Sequence, residues 1–218
     1  LDGAAVADLL GDAPKLTSEG KMYPVDIVYS PTGNSAVKVH ESIVTPVVST
    51  ILRALEQTSG SILVFLPGQG EIINIQKSLL PLVDSDISIM PLYGALSLAA
   101  QLQAIKPLDN RSAYRRKIVL ATDIAETSLT IEGISTVVDS GLCRQPRFDP
   151  ATGMTRLHTR RISQASSIQR MGRAGRTQAG YCYRLWSQQS QQALEQQTPA
   201  EILQADLCPL VLQLLQWG

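Results

Sequence analysis

Little in this sequence could build a metal centre or a disulfide framework. Among 218 residues there are three cysteines and two histidines. Cys143, Cys182 and Cys208 stand far apart with no CxxC pair, and His40 and His158 stand alone. Neither a zinc site nor a stapled secreted scaffold is indicated, and no residue is assigned to a metal. No run reaches the roughly 18 consecutive apolar residues of a membrane span, and the first residues lack the basic-then-apolar order of a signal peptide. A reducing, cytoplasmic setting with no membrane partner is the default expectation. Neither sign of charge prevails: Lys+Arg and Asp+Glu each total 19. A polyanionic partner would have to be met by local clusters rather than by the field of the whole chain. There is also no GxxxxGK[ST] phosphate loop and no DE-x-H or DE-x-D cluster to hold magnesium, which excludes binding of a triphosphate by this chain unaided.

What is present is alternation. Residues 1–24 are mixed and turn-rich and read as a short helix and a linker ending at Pro24. VDIVYS (25–30) and SILVFLP (61–67) are short apolar runs rich in β-branched residues and bounded by Pro and Gly, the pattern of buried parallel strands. Residues 41–57 between them have a helical period, with Pro46 tolerable only near the first turn. The scheme repeats: a helix from about Glu71 to Leu80, strand ISIMPLY, helix SLAAQLQAI, strand KIVLAT (117–122) and strand STVVDSG (135–141). Such alternation predicts an α/β fold, a parallel sheet with helices on both faces. Residues 143–161 predict a β-hairpin about the turn DPATG, with Arg144, Arg147, Arg156, Arg160 and Arg161 against the single acid Asp149. A helix from about Gln164 into QRMGRAGR, a strand GYCYRLW (180–186) and two helical stretches, EQQTPAEILQ and ADLCPLVLQLLQW, complete the pattern. The apolar pattern is still running at Trp217, so a piece of a larger protein is expected.

Three stretches invite chemistry, and in an open α/β sheet the loops after strands are where ligands are sought. FLPGQGEII (65–73) has two glycines of a GxGxxG, but Ile73 replaces the third and ISIMPLY ends without an acid for a ribose. A plain strand-turn-helix fits it as well as a dinucleotide site. ATDIAETSLTIEG (121–133) follows a strand directly. Its Thr122, Thr127, Ser128 and Thr130 can bond phosphate oxygens, and Asp123, Glu126 and Glu132 can accept from sugar hydroxyls; a cluster of helix caps is the plainer alternative. In QRMGRAGR (169–176), Arg170, Arg173 and Arg176 would repel on a helix by roughly 0.2–0.5 kcal/mol per pair. Gly172 and Gly175 cost about 1 kcal/mol each relative to alanine. Close approach of a polyphosphate would justify that expense, and a solvated basic turn is the alternative.

In this order FLPGQGEI, LYGALS, KIVLATDIAETSLTIEGISTVVDSG and QRMGRAGR resemble motifs IV to VI of the DEAH-box family of superfamily 2 helicases. AGYCYRLWS and PRFDPATGMTRLHTRR point to a bacterial subgroup. The resemblance runs from about residue 20 to the end, and Leu1 and Asp2 resemble the close of motif III. It implies a RecA-like domain, the second of two in an ATP-dependent RNA helicase, spanning residues 25–205. Residues 1–24 would then link it to the first domain, and 206–218 would open a following helical domain covering Val211, Leu214 and Leu215. ATP with Mg2+ would be bound mainly by the first domain. Arg173 and Arg176 would be arginine fingers, Gln169 would orient the attacking water, Arg170 would hold the motif, and the glycines would let the helix approach the nucleotide. Glu132 stands where the family has an aspartate on the ribose, and Ile105 where eukaryotic relatives stack a phenylalanine on the base; Thr130 joins them on the ATP side. Gly68, Thr122, Asp123, Thr127 and Ser128, with Arg144, Arg147 and Arg156 of the hairpin, would meet single-stranded RNA, DNA being left open. The partners implied are the other domains of the same chain, in a monomer. A stand-alone, non-catalytic nucleic-acid or protein-binding module is the alternative.

Overall fold

A computed structural model describes residues 3–16, 23–30, 41–109, 113–126 and 130–218. Helix α1 (Gly3–Leu9) precedes strand β1 (Val25–Tyr29). There follow α2 (Val44–Gln57), β2 (Ser61–Phe65), α3 (Gln69–Leu79), β3 (Ile87–Leu92), α4 (Leu98–Ile105), β4 (Arg116–Ala121) and β5 (Ile134–Asp139). Strands β6 (Leu142–Asp149) and β7 (Met154–Arg161) make a hairpin. Helix α5 (Gln164–Met171), β8 (Gly180–Arg184), α6 (Gln188–Gln192) and α7 (Cys208–Trp217) end the chain. Six strands form one sheet in the order β1-β8-β5-β2-β4-β3, every pair parallel.

Side-chain alternation assigns each strand residue to one of two cores. Ile62, Val64, Ile118, Leu120 and Val138 pack with Val47, Ile51 and Ile72 of α2 and α3. Leu63, Phe65, Val119, Ala121 and Val137 pack on the other face with Ala104 of α4 and Met171 of α5. The central strand β2 is buried at all five residues, as a strand covered on both faces must be. Pro46 sits in the first turn of α2, where its missing N–H is harmless, and Pro91 lies in β3 at the sheet edge. No helix among the described residues is long and apolar enough to cross a membrane.

The hairpin turn is closed by Asp149, whose Oδ1 accepts from Ala151 N at 3.0 Å and whose Oδ2 accepts from Thr152 Oγ1 at 3.0 Å. Gly153 there has φ 63°, a left-handed position that suits glycine. Two strands alone are marginal in water, and this pair is anchored at both ends. At its base Ile162 N donates to Gly141 O at 3.0 Å, and near its turn Phe148 N donates to Gln204 O at 3.0 Å.

Two helical expectations need correction. EQQTPAEILQ is not a helix: only Glu201–Leu203 makes a 3-10 turn. Pro199 disfavours helix in the residue before it, and the carbonyls of Glu195 and Gln196 instead accept from Gln164 N (2.8 Å) and Ala165 N (3.1 Å), capping α5. The helix through QRMGRAGR also stops early, at Met171, and the arginines from Arg173 onward sit in turns. In α7, Leu212, Leu215 and Trp217 are exposed.

Gly175 has a steric role. A methyl group on it would come within 2.5 Å of Tyr23 O and 2.8 Å of Val25 Cγ2, so its close approach is to the chain entering β1. Gly175→Ala should therefore lose about 1–3 kcal/mol by overpacking. Gly70→Ala, in α3 with open space around it, should gain about 0.5–1 kcal/mol. Urea unfolding midpoints of the two variants check the contrast.

Candidate functional site

Helix α5 starts at Ser163, whose Oγ accepts from Ser166 N at 3.1 Å, and it carries Arg170 inward. That guanidinium is fully buried (0% exposed) over the Phe65 ring, 4.8 Å from its centroid. Its Nε donates to Glu126 Oε2 at 2.8 Å, and its Nη1 donates to Asp139 Oδ1 at 3.0 Å and to Leu142 O at 3.2 Å. Burial works to lower the pKa of this guanidinium, and Asp139 and Glu126 outweigh it, so the charge is held. Glu126 reaches this position because the chain leaving β4 turns in a 3-10 loop, Asp123–Ala125, anchored by the fully buried Ala125.

Glu126 has a second use. Its backbone carbonyl accepts from Arg173 Nε at 3.1 Å and also from Arg173 Nη2. Burial and the neighbouring charge of Arg176 bring Arg173 down to about 10, still a cation at neutral pH. Arg176 is exposed, and its Nη1 donates to Thr130 Oγ1. The three arginines thus rest on a carboxylate pair, a carbonyl and a hydroxyl, and do not form one repelling helical stripe.

The candidate residues divide between the two edges of the sheet. Ile105 ends α4 just before β4, Glu132 and Thr130 precede β5, and Arg176 precedes β8. All four are at the amino ends of strands, where the search after strands does not look. Helix α5 is the reason: it runs from the carboxyl edge back to the amino edge and carries the basic segment with it. Gly68, Thr122, Asp123 and Arg144 follow β2, β4 and β5 at the carboxyl edge. Gln169 lies between, lining a cleft of about 610 Å³ with Asp123, Glu126, Cys143 and Arg160. Arg176 is not one of its lining residues. Thr127 and Ser128 fall outside the described residues.

On the hairpin the three candidate arginines have different surroundings. A methyl group on Gly68 would lie 2.2 Å from Arg144 Nη1, so this glycine is the seat of that guanidinium. Arg144 Nη2 pairs with Glu71 Oε1 at 2.8 Å and knits the hairpin base to α3. Arg147 and Arg156 are exposed and directly opposite each other in the register. Like charges so placed destabilise a strand pair, and a bound anion relieves them. They share a face with Gln145, His158 and Arg160, and that face opens on a trough of about 1080 Å³ walled by Pro199, Leu203 and Gln204. Arg160 is itself paired with Glu195. Among the described residues no group of three or more His, Cys, Asp or Glu could hold a metal ion.

Sequence reasoning missed the roles of Asp139, Glu126 and Glu71 as holders of arginines. One signal was available for Asp139: an acid closing an otherwise apolar buried strand needs a cation for company.

The profile of the helicase conserved C-terminal domain matches residues 46–178. ATP-dependent RNA helicase HrpB of Escherichia coli (strain K12) is 46% identical over 218 residues, which is 100% of this chain and 26% of that protein. ATP-dependent RNA helicase DEAH11, chloroplastic, of Arabidopsis thaliana is 35% identical over 221 aligned residues, 100% of this chain and 12% of that protein. The crystal structure of Escherichia coli DEAH/RHA helicase HrpB superposes with a TM-score of 0.89 at 46% identity, covering 100% of this chain and 27% of that one. The chain therefore spans about a quarter or less of the length of these relatives.

The buried pair generates a stability prediction. Asp139→Ala leaves Arg170 with one carboxylate and should cost about 3–5 kcal/mol, whereas replacing both partners by apolar residues is far cheaper. Asp139→Leu combined with Arg170→Met should therefore lose less than the sum of the two single changes, as read by urea denaturation.

Proposed function

Since the chain belongs to the helicase conserved C-terminal domain family in its DEAH-box form, we propose that it is the second RecA-like domain of an ATP-dependent RNA helicase. In this reading it forms one wall of the ATP site and part of the track for single-stranded RNA. The observation that carries the reading is the joint at Glu126, where the loop after β4 holds Arg170 through a carboxylate and Arg173 through a carbonyl.

ATP lies between this domain and the first RecA-like domain, which supplies the phosphate loop and the seat of Mg2+. The amino edge of the sheet faces the nucleotide. Arg173 and Arg176 neutralise charge developing on the transferring phosphoryl group, and Gln169 orients the attacking water. Glu132 accepts from the ribose, Ile105 meets the base as an aliphatic surface with slack base preference, and Thr130 steadies Arg176 until phosphate replaces it. Arg170 stays buried and holds the motif.

At the carboxyl edge the Gly68 loop, Thr122 and Asp123 follow the RNA backbone, and Thr127 and Ser128 are assigned to the same strand. Arg147 and Arg156 stand at the duplex junction, where a phosphodiester relieves their mutual repulsion, and Arg144 braces the hairpin behind them. Contacts of this kind position a strand without reading its sequence, and DNA is the second candidate strand. Residues 25–205 form the domain, 1–24 link it to the first, and 206–218 open a helical domain that covers Val211, Leu214 and Leu215 in a monomeric protein. A non-catalytic binding module is the weaker reading, because it leaves Gln169, Arg173 and Arg176 without a task.

Hydrolysis assays on the full-length protein test this. Arg176→Ala should lower RNA-stimulated ATP turnover by about 10³–10⁵ while leaving RNA affinity within about twofold. Turnover by the present chain alone, or an active Arg176→Ala, would contradict the reading. In a separate titration, Arg147→Ala with Arg156→Ala should weaken RNA binding equally across sequences and reduce the salt slope by about 2.

A further inference from the structure

We propose, on the reading just given, that Lys117 is a positioning residue for the adenosine end of the nucleotide site, capping α4 so that Ile105 and Glu132 face the base and ribose together. Lys117 is the second residue of β4 and is 1% exposed, a condition that lysine tolerates only when its donors are satisfied. Its Nζ donates to three consecutive carbonyls, Ala104 (2.9 Å), Ile105 (3.4 Å) and Lys106 (2.7 Å). These are the unpaired acceptors at the negative end of α4, so one ammonium both satisfies them and complements the helix dipole.

The placement has a consequence for the site. The carbonyl of Ile105 is itself bound, and its side chain is half-buried against the core that holds Ala125 and Ile131. The residue meeting the base is therefore fixed from the backbone side as well as by packing. Glu132 comes from a different segment, exposed just ahead of β5, and its charge acts on Lys117 directly. Burial brings Lys117 down to about 8, with Glu132 working in the opposite direction. The ammonium thus holds the backbone of the residue assigned to the base and feels the charge of the residue assigned to the ribose, without itself touching the nucleotide.

Its neighbour supplies the control. Arg116 makes the corresponding cap on the other face of the sheet, donating to Leu55 O at 2.9 Å and to Gly60 O at 2.8 Å, and so ends α2. Helix α2 carries no residue assigned to the nucleotide. The same loss of a helix cap can then be made with and without a link to the site.

The experiment is steady-state ATP hydrolysis by the full-length protein at saturating single-stranded RNA, with melting temperatures measured in parallel. Lys117→Met should raise the KM for ATP about tenfold with kcat within about twofold, the signature of lost uniform binding. It should also narrow the preference for ATP over 2′-deoxy-ATP. Lys117→Arg should restore most of the KM. Arg116→Met should lower the melting temperature and leave the KM in place. If Lys117→Met fails to fold, Lys117→Gln, with a donor on a shorter stem, should show an intermediate rise. An active wild type whose KM is unmoved in Lys117→Met or Lys117→Gln would overturn the proposal alone. A Lys117→Met whose only change is a fall in melting temperature like that of Arg116→Met would do the same. A full-length wild type that hydrolyses no ATP would instead overturn the reading of the nucleotide site, and this proposal with it.

Discussion

A guanidinium with no exposed surface cannot be left unpaired, and the fold around Arg170 is organised by that requirement. Desolvating such a cation costs several kcal/mol, which only close, hydrogen-bonded anions offset. Glu126 arrives from the loop after β4, Asp139 from the end of β5, and the Phe65 ring from β2. Three strands and one helix are thereby held in a fixed relation at one charge. A second cation extends the tie: Arg184 of β8 donates to Tyr29 Oη at 2.8 Å and to Ser167 O at 3.4 Å, joining β1 and β8 to α5. The pair gives less net stability than its short distances suggest, because its Coulomb energy mostly offsets its own desolvation. What it supplies is geometry.

That geometry is useful because α5 spans the sheet from edge to edge. Its amino end is capped by the carbonyls of Glu195 and Gln196 beside the hairpin, and its carboxyl end delivers Arg173 and Arg176 to the opposite edge. A displacement of the loop at Glu126 moves one acceptor of Arg170 and the acceptor of Arg173 at once. Nucleic acid at the carboxyl edge and nucleotide at the amino edge would then act on the same short segment. This is a physical basis for linked binding that needs no long pathway, only two arginines on one glutamate.

Much of the fold was legible in local pattern. The fully apolar SILVF required a strand covered on both faces, DPATG specified the hairpin turn, and Pro46 located the first turn of α2. Less legible were features decided by partners distant in sequence. Helix α5 ends at Met171 because the following glycines weaken the helix and the arginines find acceptors elsewhere. The stretch 195–204 gives up helix because its carbonyls cap α5 and Pro199 obstructs the alternative. At the site, residue types suggested phosphate and sugar chemistry, and it took the resemblance, not the residues alone, to single out Arg170 as the arginine that holds the motif. Arg144 and Arg147 look alike in the chain, yet Glu71 engages the first and the register sets the second against Arg156. Lys117 was hidden as an ordinary strand residue, since burial is a property of the fold and not of the motif.

The proposed chemistry requires the two turn-borne arginines to point at the nucleotide when phosphate is present. The most direct test is a structure of the full-length protein with ADP, aluminium fluoride, Mg2+ and single-stranded RNA. Arg176 and Arg173 should both lie within hydrogen-bond distance of the fluoride mimic, with Arg170 still bonded to Glu126 and Asp139. Arginines directed away from the nucleotide, or an Arg170 released from Glu126, would contradict it.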